Sequence, residues 1–342
     1  MKNLYDLSWM EIQLMISDLG EPLFRAEQIW QGLYQKGWRD FSDFTTLPKS
    51  LRMTLSGQYK LGEMQVEKEL TSQDGTTRKF LYRLADGAAI EMVLMAYPDR
   101  QTACISSQVG CAMGCSFCAT GDMGLERNLT RGEIIEQVMQ AAALVREGKK
   151  TLTNVVLMGM GEPFHNYENV MGAISVLNDP RGFNMGSRRF TISTVGIVPG
   201  IERFTEENSQ INLAISLHAA DDQLRSKMIP INKRYPIDAL MEACDEYLAR
   251  TRRRVTVEWA LIEGVNDTPE QANKLARLLK GKLFHVNLIQ LNPVNHFPGL
   301  PSGDAQAASF RGIIQQAGIP CTVRQRRGID IQAGCGQLAS KS

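Results

Sequence analysis

The 342-residue sequence predicts an α/β protein, a partial and open parallel β/α barrel preceded by a small helical module and a short β-rich connector. Three observations predict it. β-branched apolar runs alternate with helix-like segments from residue 153 onward; hairpin-type alternation fills 64–107; and capped amphipathic patterns occupy the first 57 residues. A hydrophobic content of 43% is ample for a core of this size. No apolar run approaches the roughly 18 residues of a membrane span, and the start "MKNLYDLSWMEIQ" has neither the basic nor the apolar part of a signal peptide. A cytoplasmic location is expected.

In the helical module, Ser8 and Glu11 form a capping box before "IQLMISDL", and Gly20 is the stop. A second helix follows Pro22, with Phe24, Ile29 and Leu33 toward one face and Gly37 at its end. Phe41, Phe44 and Leu47 lead to a short helix after Pro48. From 64 the period changes to that of strands, near 64–71, 77–84, 88–96 and 102–107, with Asp74-Gly75 and Asp86-Gly87 as turn signals.

Six further runs read as parallel strands: 153–161, 189–196, 211–218, 254–262, 285–292 and 321–326. The clearest helices between them are 236–249, 268–280 and 304–317. About six units over about 225 residues, against the ~250 of an eightfold barrel, favour an open barrel. Ligands of such folds gather at the C-terminal strand ends. There stand "GMGEP" with Gly161 and Glu162, "STVG" with Ser193, "SLH" with Ser216, Leu217 and His218, and "LNP" with Asn292. Glycine lets backbone approach a ligand and a carboxylate can receive an ammonium group, although each polar residue taken singly is more often a satisfied structural one.

Seven cysteines, four of them within 15 positions, suit a thiolate site in a reducing compartment better than a disulfide framework. Cys111, Cys115 and Cys118 form C-x3-C-x2-C. Three thiolates on a tight loop can hold three irons of a cubane and leave the fourth open, whereas zinc wants four closed ligands, so a zinc knuckle is the competing reading. Cys335 lies between two glycines near the chain end, placed to move and react, while Cys244 and Cys321 read as packing. The net charge is only +1, and the basic clusters "RSKMIPINKRY", "RTRRRV" and "RQRRG" are by themselves ordinary solvated surface more often than a nucleic-acid footprint.

C-x3-C-x2-C with Phe117 before its last cysteine resembles the signature of the radical S-adenosylmethionine superfamily. "MGMGEP", "STVGIVPGI", "SLHAA", "PINKRYPID", "HVNLIQLNP" and "GIDIQAGCGQL" then resemble the RlmN/Cfr family of radical S-adenosylmethionine RNA methyltransferases over nearly the whole chain. The resemblance implies a radical SAM partial barrel over 101–328, an RNA-binding helical domain over 1–57, a hairpin connector over 58–100 and a mobile tail over 329–342. It implies one [4Fe–4S] cluster held by Cys111, Cys115 and Cys118, and two S-adenosylmethionine molecules per turnover. These would bind over Gly161, Glu162, Ser193, Ser216, Leu217, His218 and Asn292.

By the same resemblance, Cys335 accepts a methyl group that a cofactor-derived radical then activates for addition to adenine. Cys104, seven residues before the cluster motif, helps resolve the RNA adduct and ends in a disulfide with Cys335, and Glu91 is a proton acceptor. The implied partners are 23S rRNA, tRNA and an electron donor such as flavodoxin or ferredoxin. The implied product is methylated at adenine C2, with C8 as the alternative of the other branch, and the basic clusters become candidates for phosphate contact. A reading of another class is a non-catalytic Fe–S or zinc RNA adaptor.

Overall fold

The computed structural model describes residues 1–339. Three helices open the chain: α1 (Trp9–Asp18), α2 (Phe24–Gln31) and α3 (Lys49–Gln58). The capping box of α1 is formed in both directions, Ser8 to the Glu11 amide and Glu11 to the Ser8 amide. Ala26, Ile29, Trp30 and Leu33 make the buried stripe of the second helix and its one-turn extension. Phe24 falls off that stripe and is 53% exposed, contrary to the expected face. Gly37, at φ +68°, closes the extension in a left-handed turn that suits glycine.

The strands are β1 (Gln65–Thr71), β2 (Thr77–Arg83), β3 (Ala89–Ala96), β4 (Gln101–Cys104), β5 (Gln108–Gly110) and β6 (Leu125–Asn128). After them come β7 (Asn154–Leu157), β8 (Phe190–Thr194), β9 (Asn212–Ser216), β10 (Val255–Leu261), β11 (Phe284–Gln290) and β12 (Cys321–Val323). Ten of these form one sheet in the order β12-β11-β10-β9-β8-β7-β4-β3-β2-β1. From β4 to β12 every pairing is parallel, and from β4 to β1 every pairing is antiparallel. The two end strands do not pair, so the barrel is open.

Two expectations shift here. The 64–107 hairpins, expected as a connector before the barrel, continue its wall in one sheet. Strand β4 turns antiparallel pairing (Val93 opposite Cys104) into parallel pairing (Cys104 opposite Val156) across its own width. The last strand ends at Val323, so the arginines of "RQRR" leave the sheet.

Helices α4 (Arg131–Glu147), α5 (Tyr167–Asn178), α6 (Val198–Glu206), α7 (Ile237–Thr251), α8 (Pro269–Leu279) and α9 (Asp304–Gln316) cover the outer face. On α7 the buried positions Ile237, Leu240, Met241, Cys244 and Tyr247 follow the helical period, and Cys244 is plain core. Parallel strands covered in this way are buried, as the run Val255, Val257, Trp259 and Leu261 illustrates. No helix among the described residues is long and apolar enough to cross a membrane.

Candidate active site

The small hairpin β5–β6 carries the cysteine loop. Gly110 at its mouth has φ +73°, and a Cβ there would stand 1.9 Å from the Gly124 carbonyl, so only glycine lets the loop close. The Cys111 amide then donates to that carbonyl at 2.8 Å. Cys111, Cys115 and Phe117 are buried among Met113, Met228, Ile229 and Leu291, with Cys118 packed against them. Burial pushes the Cys111 thiol up to about 12 and raises Cys115 and Cys118, with Cys118 adding to the rise of both Cys111 and Cys115. Thiols in such surroundings become anionic when a metal centre supplies the positive charge.

Among the described residues no three His, Cys, Asp or Glu side chains close on a single ion. A cubane takes its three thiolates at separate corners, wider than a one-ion cage, and a donor set of three thiols on one loop suits it.

Beside the loop lies a cavity of about 160 Å³, lined by Cys115, Cys118, Gly161, Glu162, Ser193, Ser216, His218, Glu258, Asn292 and Cys335. Its walls are strand ends. Gly161 has φ +101°, and a Cβ there would meet the Gln108 side chain at 2.6 Å, so the turn after β7 also requires glycine. Glu162 Oε1 accepts from the Phe164 amide and Oε2 from the Val195 amide, at 3.0 and 2.8 Å. These two bonds fix its direction and leave lone pairs free on each oxygen, while burial pushes the carboxyl up to about 7. Ser193 and Ser216 face each other, Oγ to Oγ at 3.4 Å.

His218 sits at φ +57° with its ring edge-on to Phe117, and its Nδ1 accepts from the Ala260 amide at 2.8 Å. Burial lowers the imidazole to about 3, so it is neutral with the proton on Nε2. Asn292 Nδ2 donates to the Cys335 carbonyl at 3.1 Å, while its buried Oδ1 has no hydrogen-bond partner among the described residues. An orphaned buried acceptor of this kind suits a ligand donor.

Family models match at two places. The radical SAM superfamily model covers residues 105–279, and the model for the N-terminal domain of ribosomal RNA large subunit methyltransferase covers 2–61. A probable dual-specificity RNA methyltransferase RlmN of Chloroflexus aurantiacus is 48% identical, over 99% of this chain and 93% of its own length. The dual-specificity RNA methyltransferase RlmN 1 of Myxococcus xanthus is 47% identical, over 98% and 94%.

The chain belongs to the RlmN family of the radical S-adenosylmethionine superfamily. The crystal structure of a radical SAM methyltransferase from Sphaerobacter thermophilus superposes with a TM-score of 0.98 at 49% identity, each chain covered in full. The superfamily match begins one residue after Cys104 and ends well before Cys335.

The structure brings most of the expected residues together, but not all. Leu217 is fully buried away from the cavity; its amide donates to the Glu258 carbonyl, and its own carbonyl accepts from Arg225. Inward and outward positions alternate along a strand end, which turns Leu217 to the core between Ser216 and His218. Glu91 is buried in β3 and opens onto a separate cavity of about 460 Å³, with Lys79, Asp122 and His296. Cys104 shares a third, small cavity with Cys335, Arg324 and Met158, and burial pushes its thiol up to about 12.

The implied disulfide between Cys104 and Cys335 is not formed, since all seven cysteines are free. The tail expected to be mobile is bonded into the barrel mouth as far as Ala339, and its last three residues lie outside the described residues. There are enough polar groups around the mouth to satisfy its backbone: Gly336 accepts from the Ala119 amide and Leu338 from Thr120 Oγ1, at 2.7 and 2.6 Å.

Two arginines beside the site escaped the sequence reading because both stood in basic clusters. Arg225 is fully buried, and its guanidinium donates to the carbonyls of Leu217, Val195 and Ser216 and to Asn232 Oδ1, tying two strand ends together. Arg324 directs Nη1 to Cys335 Sγ at 3.8 Å. A third neighbour, Glu258, which the sequence reading did not single out, lines the cavity beside the cysteine loop and accepts from Asn287. Only Arg324 had a signal, an arginine directly after an apolar strand.

Proposed function

We propose that the protein methylates C2 of an adenosine in RNA by way of a methyl group carried on Cys335. The substrates are 23S rRNA at the peptidyl transferase centre and the adenosine 3′ to the anticodon of tRNA, met in the cytoplasm. The observation that carries this reading is the seat of Cys335, which lines both the cavity beside the cysteine loop and the pocket of Cys104. The names of the relatives, dual-specificity RNA methyltransferases RlmN, support RNA as substrate and the C2 branch over the C8 branch.

Cys111, Cys115 and Cys118 would hold a [4Fe–4S] cluster, and Gly161, Glu162, Ser193, Ser216, His218 and Asn292 would bind S-adenosylmethionine. Bound together and reduced by a donor such as flavodoxin or ferredoxin, with two cofactor molecules used per turnover, these groups supply one-electron chemistry and the transferable methyl. Everything else falls to the chain. C2 of adenine is an electron-poor ring carbon with no nucleophilic lone pair, so a direct polar methyl transfer would go to a ring nitrogen instead. A sulfur nucleophile takes the methyl readily, and the Arg324 guanidinium stands beside Cys335 Sγ at 3.8 Å. Asn292 holds the Cys335 carbonyl and so aims the loop. Glu91, buried at the neighbouring cavity, is the proton acceptor, and Cys104 is the thiol placed to release RNA from Cys335.

Nucleosides digested from treated RNA and separated by mass spectrometry are expected to contain 2-methyladenosine; 8-methyladenosine would overturn the regiochemistry. A Cys104→Ala enzyme is expected to leave most of the reacted RNA covalently attached, seen as a denaturation-resistant gel shift. A clean release of methylated RNA by that variant would remove Cys104 from the scheme.

A further inference from the structure

Lys79 and Glu91 stand on the paired antiparallel strands β2 and β3, where Lys79 lies opposite Val93 and Leu81 opposite Glu91. They are thus diagonal neighbours on one face, within reach of long side chains. Lys79 Nζ is 3.0 Å from Glu91 Oε1, with side chains only 10% and 6% exposed. A buried pair of this kind is usually completed by further hydrogen bonds to nearby groups. Here the two completing bonds both run to the C-terminal segment. Lys79 Nζ donates to the Gln332 carbonyl at 3.2 Å, and Glu91 Oε2 accepts from the Ala339 amide at 2.9 Å.

Gln332 and Ala339 bracket Cys335, three residues before it and four after. Gln332 is also held at φ +52°, a left-handed conformation that a non-glycine residue keeps only when its surroundings impose it. Other bonds to the loop involve Ala119 and Thr120 after the cysteine loop, Asn292 and Pro293 after β11, and Arg324 after β12.

We propose that the Lys79–Glu91 pair is a latch that clamps both ends of the Cys335 loop, with Lys79 a positioning residue for that cysteine. While the loop is docked, Glu91 is bonded on one oxygen to Lys79 and on the other to Ala339. Withdrawal of the loop therefore frees Oε2, so tail release and the availability of this carboxylate are one event. The titratable groups facing the pair are Lys68, Asp122, His296 and Asp330, which line the same cavity. The functional importance of the latch rests on the role of Cys335 proposed above, but its existence does not.

The test uses the full chain without cluster or cofactor, so that it stands apart from methylation. Hydrogen exchange of the 332–339 amides and the rate of Cys335 alkylation by iodoacetamide are read by peptide mass spectrometry in Lys79→Met and Lys79→Arg. Lys79→Met is expected to raise both by about tenfold, the loss of one hydrogen bond to a charged group, with alkylation of buried Cys244 unchanged. Lys79→Arg, which keeps the charge and donors, is expected to restore both. Should Lys79→Met lose its fold because Glu91 is left buried and unpaired, the double variant Lys79→Met/Glu91→Met removes that charge and carries the same expectation. Unchanged exchange and alkylation in the folded variant would overturn the latch, whereas a failure of the Cys335 reading would appear only in the methylation assay.

Discussion

Replacing Cys335 by alanine is expected to lower RNA methylation by more than about 10³-fold while iron and sulfide content stays at the level of the unaltered protein. The sulfur is the only atom of that side chain able to take and pass on a methyl group, and alanine keeps the loop carbonyls that accept from Asn292 and from the Ala119 amide. The cysteine loop has its own support, the hairpin β5–β6 and the apolar cluster around Met113 and Ile229, none of which involves the Cys335 side chain. Cluster content measured beside RNA methylation separates the two functions. Methylation by the alanine variant at an undiminished rate would sink the tail-cysteine mechanism.

Replacing Cys115 by alanine is expected to do the converse at the root: iron and sulfide lost from the purified protein, and with them both methylation and cleavage of S-adenosylmethionine to 5′-deoxyadenosine. Cys115 is the buried middle cysteine of the three in the loop. A cluster held by two thiolates lacks the ligand set that three corners need. The protein should nevertheless remain folded by near-native circular dichroism, since the barrel core of Val255, Val257, Trp259 and Leu261 is remote in sequence from the loop. Full iron occupancy in this variant would show that Cys115 is not a ligand.

The two variants also show where sequence reading was strong. The spacing of Cys111, Cys115 and Cys118 is a local property, because a tight loop brings near neighbours together whatever the rest of the chain does. The capping box at Ser8, the helical stripe of α7 and the alternation of parallel strands are local in the same sense, each set by a period or a short-range hydrogen bond. Misreadings occurred where neighbours in space are distant in sequence. Phe24 was put on one face with Ile29 and Leu33 but falls off their buried stripe, and Leu217 was grouped with the cavity-lining residues on either side of it although its side chain is fully buried. Arg225 and Arg324 look like surface charge in a one-dimensional reading, because carbonyl groups that accept from a guanidinium leave no mark on composition.

By itself, the sequence determined that the chain is an open parallel β/α barrel with a three-thiol loop at its mouth and a further cysteine, Cys335, between two glycines. The resemblance names Cys104 as the partner of Cys335; only the tertiary structure decided what else surrounds it. Cys335 and Cys104 come into one pocket, Arg324 comes up to the sulfur, and Lys79 and Glu91 grip the chain on both sides of it, although these residues span more than 250 positions. The reason is physical: strand β4 joins an antiparallel hairpin to a parallel barrel, and the sheet it completes is the surface on which the tail is laid.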